Sequence, residues 1–140
     1  MDSFVVLAAE AGSTMSTTLL RDRPLVQTKV AEAEAIIGAA RAYVLDAVGA
    51  VWQAVCDDVP DPSSEITQAR LAITHAMRES VEAVDLLFHA AGTNAIHQKY
   101  PLERFFRDIH VAVQHVAGLP SNFESAGQVL LGLRPKDPGW

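Results

Sequence analysis

Arg107, Asp108, His110, Gln114 and His115 fall within one nine-residue run, Arg107-Asp108-Ile109-His110-Val111-Ala112-Val113-Gln114-His115. A guanidinium, a carboxylate, two imidazoles and an amide at this density can hold an anion, orient a polar ligand and move a proton. An imidazole with an unperturbed pKa near ~6.5 is the side chain best suited to exchange a proton at neutral pH. Asp108 precedes His115 by seven residues, which on a continuous helix places both on one face two turns apart. His110 and His115 are five apart, so they do not stack as metal-binding pairs three or four apart do. His75, His89 and His97 are scattered, and neither HExxH nor Glu-x-x-His occurs. This spacing argues against a metal site. Spacing alone leaves two readings for His115: a proton-transfer group facing a ligand, or a surface or interface histidine. Arg107 and Asp108 are open in the same way, between ligand contacts and an ion pair knitting neighbouring helices.

These residues need a helix to carry them. Tyr100-Pro101 opens one, and Leu102, Phe105, Phe106, Ile109 and Val113 supply its inner stripe, so the sequence predicts a helix from Pro101 to about Val116. Upstream, Val26, Val30, Ala33, Ile37, Ala40, Val44, Val48, Val51 and Val55 recur at steps of three and four. They predict a helix over Pro24–Cys56, roughly 50 Å long at ~1.5 Å per residue. Asp57 to Ser64 break it with two prolines, and the serines suit helix capping. A second long helix follows over Ser64–Ala91, with Ile66, Ala69, Ile73, Met77, Val84, Leu87, Phe88 and Ala91 facing inward. Gly92 is placed to end it. Ser121-Asn122-Phe123-Glu124 has the spacing of a capping box, and a short helix carrying Val129, Leu130 and Leu131 follows. Phe4 to Ala11 forms a first helix, joined through Gly12-Ser13-Thr14 to the rest. No strand-like alternation appears. The fold class is all-α, an antiparallel helical bundle occupying residues 1–140 as one domain.

Bulk properties narrow the function classes. The 140 residues are 49% hydrophobic and 20% charged, with a net charge of −6, which is globular and lacks the basic stripe of a nucleic-acid binder. No uninterrupted apolar run reaches the ~18–20 residues of a membrane span, and the N-terminus has no signal-peptide pattern. Cys56 is the lone cysteine, expected to be a buried small hydrophobe in a cytoplasmic protein.

The run Arg-Asp-x-His-x-x-x-Gln-His ending at His115 resembles the last long helix of the acyl-CoA dehydrogenase superfamily. It is most similar to the flavin-dependent monooxygenase branch, which hydroxylates aromatic substrates with separately reduced flavin. Leu19-Leu20-Arg21-Asp22-Arg23-Pro24-Leu25-Val26-Gln27 and Ala31-Glu32-Ala33-Glu34-Ala35 look like the start of that family's C-terminal helical domain. The resemblance covers about Phe4 to Leu133. It implies FAD or FMN as cofactor, His115 near the reacting edge of the flavin, and Arg21, Gly92, Arg107 and Asp108 as cofactor-binding residues. Arg23 competes with Arg21 for the flavin phosphate, and helix termination alone also accounts for Gly92. In the dehydrogenase branch a following loop supplies a glutamate base. Val116-Ala117-Gly118-Leu119 has no carboxylate, which disfavours that activity.

The family's N-terminal helical domain and middle β-domain have no counterpart in these 140 residues. One wall of a pocket neither holds flavin tightly nor excludes water, so the chain is expected not to be catalytic alone. Three readings follow, in order: a stand-alone or truncated C-terminal domain; a split subunit completing a flavin site with a partner chain; and a helical oligomerisation or protein-interaction module. A homo-oligomer, dimer or tetramer, is expected in each.

Overall fold

The computed structural model describes residues 1–12 and 18–136. Among them are five α-helices: α1 (Asp2–Glu10), α2 (Pro24–Cys56), α3 (Ser63–Ala91), α4 (Leu102–Ala112) and α5 (Ser121–Leu130). Short 3-10 turns occupy Leu20–Asp22, Gly92–Ile96 and Val116–Gly118. The only β pairing among the described residues is an isolated bridge between Gly12 and Leu19. The architecture is all-α, as the periodicity requires. The expected Gly12-Ser13-Thr14 joint falls partly outside the described residues. The chain divides into two compact units, Met1–Ile37 with Ser80–Val111, and Gly38–Glu79 with Ala112–Trp140.

In the first unit the head of α2 runs antiparallel to the tail of α3. Phe4 and Leu7 of α1, Leu20, Val26 and Ala33 gather with Ala83, Leu87 and Ala91 of α3, Ala95, and Leu102 of α4 into one core. Phe4 and Leu7 are its fully enclosed large side chains. Polar groups fasten α1 to the connection between α3 and α4. Glu10 accepts hydrogen bonds from the Lys99 ammonium and from Tyr100 Oη, the latter at 2.7 Å. Asn94 Nδ2 donates to Gly12 O at 3.1 Å and to Ala91 O at 3.2 Å. The Lys99 and Tyr100 hydrogen bonds hold the Glu10 carboxyl below the usual carboxylate range, and Glu10 in turn raises Lys99.

In the second unit the remainder of α2 pairs antiparallel with the head of α3. Ala47, Ala69 and Ala72 form its small core, flanked by Tyr43, Val44 and Val51. Tyr43 Oη donates to Gln68 Oε1 at 3.1 Å. The break between the helices turns on Asp58, at φ 50°, and Asp61 Oδ1 accepts the Ser63 N–H at 3.1 Å. An aspartate, rather than the expected serines, therefore meets the free amides at the head of α3. The capping box expected at Ser121 does not form either. Pro120 is the N-cap of α5, without a side-chain cap bond.

The buried positions of α2 are Val26, Ala33, Ala40, Ala47 and Ala54, one every seven residues. This seam differs from the expected one. Ile37, Val48 and Val55 are exposed, at 38%, 46% and 59%. The helix is apolar around most of its circumference, so several stripes satisfy a three/four period. Close approach by α3 selects the one made of alanine. The larger residues are left outside: Leu45, Val48, Trp52 and Val55 are all exposed and repeat at steps of three and four. By length and composition α2 also meets the requirement for a membrane span, although Arg41 and Asp46 interrupt it and little of its most apolar stretch is buried. Cys56 is exposed, contrary to expectation, because it is two residues past the Ala54 seam position.

Two outcomes follow from this packing. Ala47→Leu is expected to lower stability by about 1–3 kcal/mol, the range for overpacking a close contact, read from denaturant unfolding. The Glu10 carboxyl, followed by NMR, should titrate below the ordinary carboxylate value and rise toward it in Lys99→Met, with the Tyr100 hydrogen bond keeping part of the depression. Because its folded-state pKa is depressed, its contribution to stability is present above the unfolded pKa and is lost as pH falls through the folded one.

Candidate functional site

The helix carrying the Arg-Asp-x-His run is shorter than its sequence suggested. α4 ends at Ala112, and His115 has extended backbone angles, φ −61° and ψ 149°, as the N-cap of the turn Val116–Gly118. The turn is stabilised by Gly118 N–H donating to His115 O at 2.7 Å. Gly118 is required there: a Cβ would lie 2.4 Å from Val113 O and 3.3 Å from Met77 Cε. The seven-residue relation between Asp108 and His115 is therefore not that of one continuous helix, and the expected extent to Val116 is corrected. Just past the helix end the Val113 carbonyl approaches Gly118 closely, a contact that periodicity does not register.

The His115 side chain has a defined role in the turn. Its Nδ1 accepts the Ala117 N–H at 3.2 Å. An accepting Nδ1 carries no proton, so the neutral ring bears its hydrogen on Nε2. Among the described residues no hydrogen bond or ion pair engages Nε2, and the residue is exposed. Behind the turn, buried Thr74 donates from Oγ1 to Ala117 O at 2.7 Å. Asn122 Nδ2 donates to Thr74 Oγ1 at 3.1 Å and to Val116 O at 2.9 Å. Thr74, Val116, Ala117 and Asn122 line a cavity of about 240 Å³ with Arg70 and Ile73. Neither Thr74 nor Asn122 stands out in the sequence as a site residue. A threonine inside the apolar stripe of α3 was the available signal.

Arg107 and Asp108 point elsewhere. Arg107 Nη1 pairs with Glu103 at 3.1 Å and Arg104 Nε pairs with Asp108 at 3.2 Å, both one turn apart on the exposed surface of α4. Among the described residues they neither pair with each other nor knit two helices. The buried edge of α4 is held instead by Leu102, by Phe106 stacked 4.4 Å from Phe88, and by His110. His110 Nδ1 lies 2.8 Å from Phe106 O, and its Nε2 is 3.5 Å from Asp85 Oδ1. Phe105, expected in the inner stripe, is 45% exposed.

Arg21 and Gly92 line different cavities. Arg21, exposed and 3.8 Å from Asp22, lines an open, largely apolar cavity of about 540 Å³ with Phe4, Ala8, Val26, Val30, Gln27 and Glu34. Its carbonyl accepts Gln27 Nε2 at 3.0 Å, which holds the turn against the first residues of α2. Gly92 lines a smaller cavity, about 190 Å³, with Leu20, Arg23, His89, Thr93 and Asn94. The arginine that shares a cavity with Gly92 is thus Arg23. At φ +58° Gly92 adopts the left-handed conformation that ends α3, with open space around it. No group of three or more His, Cys, Asp or Glu residues able to hold a metal occurs among the described residues.

Residues 1–119 match the family model described as the C-terminal domain of acyl-CoA dehydrogenase. The chain is 31% identical over 140 residues to an indole-3-acetate monooxygenase of Pseudomonas putida, covering 100% of this chain and 36% of that protein. It is 30% identical over 127 residues to a pigment production hydroxylase of Rhodococcus erythropolis, covering 86% of this chain and 31% of that protein. Among solved structures, the HsaA monooxygenase of M. tuberculosis superposes with a TM-score of 0.79 at 26% identity. XiaF from Streptomyces sp., solved with FADH2 and glycerol, superposes with a TM-score of 0.86 at 28% identity. Each match covers 96% of this chain and 35% of the other. The chain thus spans about a third of the length of the relatives it resembles. Sequence and structure agree that this chain belongs to the acyl-CoA dehydrogenase C-terminal domain family, and the relatives named above include flavin-dependent monooxygenases.

Proposed function

We propose that this chain supplies the C-terminal helical wall of a flavin-dependent monooxygenase that hydroxylates an aromatic substrate, with His115 as its proton-transfer group. The observation that carries the reading is His115 itself: an exposed imidazole, fixed through Nδ1 to a glycine-dependent turn, with Nε2 free of hydrogen bonds and ion pairs among the described residues. A ring held this way offers one N–H to a substrate oxygen and takes the proton back without reorienting.

The residues of the first unit suit a flavin, FAD or FMN. Arg21 provides a cation at the head of α2, where free backbone N–H groups also favour a phosphate, beside an apolar surface of Phe4, Ala8, Val26 and Val30. Reduced flavin, when bound, supplies the activation of dioxygen. Arg21 would hold the phosphate and the apolar surface beside it would exclude water, while Gly92, in its separate cavity with Arg23, would let a bound group approach the end of α3. Arg107 and Asp108, exposed on α4, are available to the domain that closes the pocket. The remaining walls come from domains outside these 140 residues, in the same polypeptide or in a partner chain, and the protein works in the cytoplasm.

We also propose that the chain self-associates as a dimer or tetramer through the outer face of α2. Leu45, Val48, Trp52 and Val55 form an apolar seam with the spacing a second helix would fill.

Three measurements test these readings. The purified chain is expected to be colourless and inactive toward phenols with reduced flavin; stoichiometric flavin absorbance would overturn this. In a complex containing the missing domains, His115→Ala should lower hydroxylation by ~10²-fold or more while assembly persists; an unchanged rate would remove His115 from the chemistry. Trp52→Glu should shift sedimentation toward the monomer. A wild-type chain that sediments as a compact monomer at tens of micromolar (a rough scale for weak association) would refute the α2 interface.

A further inference from the structure

We infer that Asn122 and Thr74 are positioning residues that set the tautomer of His115 through the peptide joining Val116 to Ala117. The Val116 carbonyl and the Ala117 N–H belong to the same planar amide. Asn122 Nδ2 donates to the carbonyl end at 2.9 Å, and the N–H end donates to His115 Nδ1 at 3.2 Å. A donor on the carbonyl polarises the amide and strengthens the hydrogen at its other end, as in any hydrogen-bonded chain. The amide thus relays the Asn122 side chain to the imidazole.

Thr74 fixes the relay in place. Its hydroxyl gives its one proton to Ala117 O at 2.7 Å and receives the Asn122 amide at 3.1 Å. That direction is forced, because a carbonyl oxygen can only accept. With 1% of its surface exposed, Thr74 has no solvent alternative for either bond. Two consecutive carbonyls, Val116 and Ala117, are therefore held from α3 and α5, and the N–H between them has one orientation. Gly118 completes the arrangement by letting Val113 O close over the turn. In consequence His115 Nδ1 is kept unprotonated and the neutral ring keeps its proton on Nε2.

This deepens the reading of His115 given above, and its relevance to catalysis rests on that reading. The test does not. The full chain labelled with ¹⁵N-histidine reports the tautomer directly, since protonated and unprotonated imidazole nitrogens resonate far apart. In the wild type at a pH where His115 is neutral, its Nδ1 should show the unprotonated shift and its Nε2 the protonated one. In Asn122→Ala and in Thr74→Val the two shifts should converge as the second tautomer becomes populated. Thr74→Ser, which keeps the hydroxyl, should restore the wild-type pattern. A general loss of packing does not produce this pattern, because Thr74→Val preserves side-chain shape. If Asn122→Ala does not fold, the Thr74 pair decides alone. Wild-type shifts already averaged, or shifts unchanged in folded Thr74→Val, would overturn the inference. A failure of His115→Ala to affect hydroxylation would instead remove the catalytic reading and leave the tautomer result intact.

Discussion

The contact that governs this structure is the approach of two long helices over alanine. After Val26, every buried position of α2 is an alanine, and in the second unit Ala47 meets Ala69 and Ala72. A methyl group permits close backbone approach but removes little apolar area from water, at roughly 25 cal/mol per Å². The seam therefore specifies which faces meet more than it stabilises them. Large enclosed side chains are few, with Phe4 and Leu7 the main ones, both in α1. α1, which carries these two fully enclosed side chains, is joined to the connection between α3 and α4 by the bonds of Glu10 with Tyr100 and of Asn94 with Gly12.

The same constraint has an outward consequence. A helix that gives alanine to its neighbour leaves Leu45, Trp52 and Val55 on the other side. A surface of this kind is costly in water and is stable only against another apolar surface. The apolar cavity beside Arg21 has the same character, open and lined by Phe4, Val26 and Val30. These are the apolar surfaces that the proposed self-association and the proposed flavin pocket would cover.

The candidate site follows a different principle. Around His115 nothing depends on apolar area. The turn is made of directional bonds among backbone groups, Thr74 and Asn122, with a glycine where a side chain would collide. Each buried polar group in this network is satisfied, and together the bonds give the imidazole one orientation. On α4, by contrast, the ion pairs of Arg104 and Arg107 are exposed and local, of the kind that contributes little.

The amino-acid sequence by itself determined the helical class, the extent of α2, nearly all of α3 and the family. Those features rest on local information: three/four periodicity over some thirty residues, prolines and a glycine as breaks, and the motif ending at His115. What the sequence left undecided was settled by contacts between residues distant along the chain. The buried face of α2 moved to alanine because closeness to α3, not hydrophobicity, chose among its stripes. α4 stops at Ala112, and just beyond it Val113 O closes over Gly118, a contact that periodicity cannot encode. Arg23 rather than Arg21 came to share a cavity with Gly92, since that depends on how the end of α3 meets the start of α2. Thr74 and Asn122 became partners across 48 residues, because a hydroxyl and an amide find each other only after α3 and α5 have folded around the same turn.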